Sequence, residues 1–130
     1  MAHKDKLMEL LLQTINNLEN AMQAKIEENS IRFSEKIWKV AADLEYFTFI
    51  VKLSIRKEDS DIWIENLKTA RTMNIDDELL TAQKLLREAA SALATSLEES
   101  YRKAWSAQEH ILRVQGKLER TMTKQNRPQP

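Results

Sequence analysis

The sequence predicts an all-α fold: an antiparallel helical bundle of four or five helices with coiled-coil-like heptads. Three observations lead there. The 130 residues include one Gly and two Pro. These are Gly116, Pro128 and Pro130, so residues 1–115 lack both residues that most often punctuate tight turns. Apolar residues recur at steps of three and four over long stretches, the period of one helix face. With 42% apolar and 31% charged residues at zero formal net charge, the chain lies outside the regime in which low hydrophobicity meets high net charge and folding fails. The length suits one domain, read as residues 1–124 in a single helical bundle and 125–130 as a disordered, Pro-ended tail.

In the first helix, residues 3–28, Met8, Leu11, Ile15, Leu18, Met22 and Ile26 form one apolar stripe. Glu28-Asn29-Ser30 then offers Asn29 to end that helix and Ser30 to cap the next, since Asn tolerates the left-handed conformation and a serine hydroxyl accepts from an orphan N–H. A short turn there makes the second helix antiparallel to the first. From Ser30 to about Lys57, Phe33, Ile37, Val40, Leu44, Phe47 and Val51 step 4-3-4-3-4. Residues 47–55 also alternate as a strand would, but no other stretch alternates or carries hairpin residues to pair with it. At about 100° per residue the alternation has another source. Trp38, Ala42, Tyr46, Phe49 and Leu53 gather on the side away from the heptad, so the second helix is apolar on two faces and the second face is a candidate protein interface.

Lys57-Glu58-Asp59-Ser60-Asp61 reads as a turn that starts a third helix over 60–73, with Ile62, Trp63, Leu67 and Ala70 inward. Asn74 and Asp76 repeat the pattern. Leu86, Ala90, Leu93, Leu97, Ser100, Ala104, Ala107, Ile111, Val114 and Leu118 then step 4-3 without loss of phase. Thr95 with Glu98 and Ser96 with Glu99 form overlapping capping boxes that invite a break, yet the unbroken phase favours one helix over 76–122, about 70 Å long.

Chemistry is sparse. Without clustered glycines no phosphate-cradling loop exists, and without Cys there is no disulfide, thiolate metal site or cysteine nucleophile. The residue three before His110 is Ala107, so the Glu-x-x-His ligand pair of di-metal bundles is missing. Arg102 precedes His110 by eight positions, too far for the Arg and His pairing of helical nucleases. His110 reads as an exposed helical histidine, and His3 lies in a terminus that frays. Of the acid clusters, Asp76/Asp77/Glu78 and Glu98/Glu99 suit helix starts, and Asp43/Glu45 suits a solvated edge between Lys39 and Lys52. No metal, no cofactor and no enzymatic activity are expected.

The most specific polar feature is basic. Residues 101–130 carry seven Lys and Arg against two acids, a local charge of 7 − 2 = +5, whereas residues 75–100 carry two bases and six acids, 2 − 6 = −4. Arg113, Lys117, Arg120 and Lys124 fall on one line opposite the apolar face and could meet an anionic partner. No aromatic side chain interleaves with them to stack bases. The functional expectation is a non-enzymatic helical interaction protein: a self-associating adaptor, scaffold or chaperone-like subunit, a homodimer that binds a protein partner. A nucleic-acid accessory protein using the basic last helix is the alternative, and a helical enzyme ranks third. Leu10-Leu11-Leu12, after Glu9 and before Gln13, is too short for a signal or membrane segment, so the expected location is cytoplasmic, with no membrane partner.

Overall fold

The computed structural model describes residues 2–54 and 74–126, with side chains for 5–54 and 74–120. Among them the regular elements are four helices: α1 (Ala2–Ile26), α2 (Ser30–Ser54), α3 (Ile75–Leu93) and α4 (Leu97–Asn126). The strand-like alternation at 47–54 lies inside α2. The helix expected over 60–73 falls outside the described residues, as do residues 127–130. Gln125 and Asn126 belong to α4 and not to a tail.

Each tight connection is resolved by its caps. At the end of α1, Glu28 takes φ 60°, its N–H bonds the Lys25 carbonyl and the Asn29 N–H bonds the Ala24 carbonyl, the paired bonds of a Schellman ending. The left-handed position thus falls on Glu28, one residue before the expected Asn29. Asn29 caps the next helix instead: its Oδ1 accepts from the Arg32 N–H at 3.1 Å. Ser30 becomes the first residue of α2.

The long last helix does break. Ala92's carbonyl accepts from the N–H groups of Thr95 and Ser96, and the Ser96 hydroxyl accepts from the Glu99 N–H at 3.1 Å. Of the two overlapping boxes, the one led by Ser96 starts α4, and the rod of about 70 Å becomes two antiparallel helices. A hydroxyl that satisfies an orphan N–H outweighs continuity of apolar phase when folding back also buries both halves.

The helices close into a ring in which α1 packs on α2 and α3, and α4 packs on α2 and α3. Lys25 near the end of α1 pairs with Asp76 near the start of α3 at 2.7 Å, and Glu19 pairs with Arg87 at 2.6 Å, so α1 and α3 run antiparallel. Both hairpins being antiparallel as well, so are α2 and α4. Each of these four packed pairs is therefore antiparallel, α2 and α3 run the same way across the diagonal, and Ser54 and Asn74 stand at opposite ends.

All six residues expected inside on α2 are buried, none above 5% exposed. On α1 the stripe is rotated. Leu7, Leu11, Leu18, Ala21 and Ala24 hold its centre with Thr14 and Asn17, while Met8, Ile15 and Met22 pack half-buried at its flank and Ile26 is exposed. Thr14 tolerates the centre because its hydroxyl donates to the Leu10 carbonyl. On α3, Ala89 takes the core place expected of Ala90. On α4 the expected seam of Ser100, Ala104, Ala107, Ile111 and Val114 is buried, and Ser100 donates to the Ala89 carbonyl at 2.8 Å, a backbone approach that only small residues permit.

Candidate protein interface

Heptad spacing assigns the inner face of α2, and helical geometry places what remains about 180° away. Trp38, Tyr46, Phe49 and Leu53 are 53%, 60%, 62% and 74% exposed, and Ala42 between them is exposed too. The structure thus brings all five candidate residues onto one outer stripe. It adds Ile31, 73% exposed, seven residues before Trp38 and on the same face. The spacing alone could have found it. From Ile31 to Leu53 the stripe runs about 33 Å along the helix. Single exposed apolar side chains are ordinary; a contiguous row with three aromatics is not. At Tyr46 and Ile50 the stripe borders a groove of about 480 Å³ between α1 and α2, whose α1 wall includes Leu7, Leu10 and Gln13.

A second constellation lies inside. Glu78, in the first turns of α3, is fully buried, and His110 Nδ1 lies 2.9 Å from its Oε1. A carboxylate only accepts, so the ring nitrogen facing it carries the proton and donates. Arg113 Nε donates to Oε2 at 3.0 Å and lies 3.3 Å from Oε1. Arg113 Nη2 also sits 3.3 Å from Nδ1, but both are then donors and that contact is no hydrogen bond. The expectations for these residues are corrected: His110 is buried, Glu78 is more than a helix-start acid, and Arg113 turns inward. Their three-residue spacing put His110 and Arg113 on one face, but the partner that buries them is 32 and 35 residues away.

Elsewhere polar groups also resolve into pairs. Asp43, expected on a solvated edge, is buried and accepts from Asn17 Nδ2 at 3.1 Å, with Lys39 Nζ at 3.5 Å; Glu45 is exposed. Thr48 Oγ1 donates to the Leu44 carbonyl at 2.9 Å and lies 3.2 Å from Gln108 Oε1 across on α4. The basic residues of α4 differ in their surroundings. Arg113 is committed to Glu78, Lys117 is half-buried, Arg120 is exposed, and the side chain of Lys124 is outside the described set.

A Glu–His pair could in principle move protons. Three depressions on the described surface are lined by other residues, along α3 at Leu80–Ala92, beside Lys25 and Asp76, and at Tyr46. Among the described residues no group of three or more His, Asp or Glu is placed to hold a metal ion, and no helix is long and apolar enough to cross a membrane. Comparison with protein-family models, curated proteins and solved structures finds no match.

Proposed function

We propose that this chain is a non-enzymatic helical interaction protein, a cytoplasmic adaptor, scaffold or chaperone-like subunit that self-associates and binds a protein partner through the outer face of α2. The observation that carries the reading is the row of Trp38, Tyr46, Phe49 and Leu53, each more than half exposed. Three aromatics at these exposures present about 300 Å² between them, since each has about 150–250 Å² to bury. With the aliphatic residues and the rim, the face approaches the ~800 Å² per partner of a stable interface. Trp and Tyr are also the residues whose truncation most often costs binding. Coiled-coil-like packing of the 3-4 spacing along α2 and α4 is part of this reading. The nucleic-acid alternative is weakened, because Arg113, with its side chain 26% exposed, already pairs with Glu78.

Light scattering at micromolar concentration tests the proposal. The expected mass is twice the 15.2 kDa chain. Phe49→Glu should return it to the monomer while changing thermal stability by no more than about 0.5 kcal/mol, the range of ordinary surface substitutions. A wild-type chain that stays at 15.2 kDa throughout that range overturns self-association.

A further inference from the structure

The outer face of α2 has an internal symmetry. Its residues Ile31, Glu35, Trp38, Ala42, Tyr46, Phe49 and Leu53 step 4-3-4-4-3-4, the same read from either end, with Ala42 at the midpoint. Ile31 and Leu53 lie eleven residues from Ala42, Glu35 and Phe49 seven, and Trp38 and Tyr46 four. The smallest side chain sits at the centre with an aromatic ring one turn away on each side. A two-fold interface requires a patch that complements itself, residue i meeting j while j meets i. We propose, building on the self-association just described, that the occupant of this face is the same face of a second copy, the two α2 helices crossing antiparallel with Ala42 on Ala42 at the two-fold axis.

The consequences are geometric. Trp38, Ala42 and Tyr46 form an i±4 ridge, the kind that interdigitates with its counterpart in the commonest helix crossing, with axes about 8–10 Å apart. The crossing point suits Ala, since any larger residue holds the backbones apart. Antiparallel crossing there sets Trp38 of each copy level with Tyr46 of the other, aromatic against aromatic, one turn from Ala42 and beside the groove between α1 and α2 that Tyr46 and Ile50 line. Away from Ala42 the axes diverge at about 50°, so Ile31 and Leu53 lie at the rim of the interface. A parallel pairing would place Trp38 on Trp38 and Glu35 on Glu35, two like charges in an apolar seam. Nearest the axis the exposed charges are Lys39 and Glu45, and antiparallel crossing sets Lys39 of one copy level with Glu45 of the other, while the two Glu35 carboxylates are held far apart.

The chain has no cysteine, which makes the test direct. Backbone Cα atoms lie about 2.3 Å from a helix axis, so facing Ala42 positions at that axial separation have Cα atoms about 3.5–5.5 Å apart, overlapping the disulfide range. Ala42→Cys under mild oxidation should become a covalent dimer. Glu35→Cys, exposed on the same stripe, should not, because antiparallel crossing separates the two thiols by about 21 Å along the helix. Both variants should melt as wild type does. If Glu35→Cys crosslinks as readily as Ala42→Cys, the pairing is parallel and the proposal fails. If neither crosslinks while the native mass is a dimer, another face pairs: this proposal fails and self-association stands. A monomeric native mass removes both.

Discussion

α2 and α4 pack against each other and share the 4-3 spacing, yet they use it differently. α2 is apolar on both sides: Phe33, Ile37, Val40, Leu44, Phe47 and Val51 fill the core, and Trp38, Tyr46 and Phe49 face outward. α4 buries one side, along Ala104, Ala107, Ile111 and Val114, leaves Leu112 45% exposed on another, and commits Arg113 to Glu78. The contrast teaches that a surplus of one residue type has to be followed to its contacts. The apolar surplus of α2 finds no partner among the described residues, whereas the charge surplus of α4 is partly answered within the chain.

Substitutions can break or sharpen that contrast. The largest effect belongs to Phe47→Glu, which puts an unpaired carboxylate in place of a fully buried ring; a loss above about 4 kcal/mol is expected, seen as an unfolded chain by circular dichroism. The outward Phe49→Glu, two residues on, should leave the fold intact, and equal damage from both would mean that the two faces are not distinct. Glu78→Ala follows, because it leaves Arg113 and His110 facing a buried space without their acceptor. Removing one partner of a buried ion pair costs about 3–5 kcal/mol, and a melting temperature within a degree of wild type would show that the trio is dispensable. Smallest is Ala104→Leu, at about 1–3 kcal/mol for methylene groups forced into a full seam, measured by chemical denaturation. Unchanged or higher stability there would show that the α3–α4 approach is loose.

Where side chains of one kind dominate, the sequence was enough to read the fold. The inner face of α2 emerged whole because six large apolar residues keep strict phase, and its outer face followed by rotation. The stripe on α1 was displaced because Ala21, Ala24 and Thr14 hold the centre, and a search for large apolar residues passes over them in favour of Met8, Ile15 and Met22. The break at Ala94–Ser96 was legible as a choice between two outcomes; settling it needed the energy of folding α4 back onto α3, which no local pattern records. Least legible was the buried trio. Nothing near His110 or Arg113 announces Glu78, since the pairing exists only once the hairpin has closed.

Both tight connections are held by backbone hydrogen bonds between residues at most five apart, Asn29 to Ala24 and Ser96 to Ala92 among them. Contacts that join the two hairpins span far more chain, with Glu19 meeting Gln83 and Arg87 across 64 and 68 residues and Thr48 meeting Gln108 across 60. The difference is one of folding rate. Closing a long loop costs entropy before any contact returns it, so local contacts form first, and α1–α2 and α3–α4 zip as separate units before they dock. Until docking, the part of α2's inner row that α4 covers is open to solution, so at high chain concentration two nascent hairpins can meet on the wrong face, and refolding yield should fall with concentration before refolding speed does.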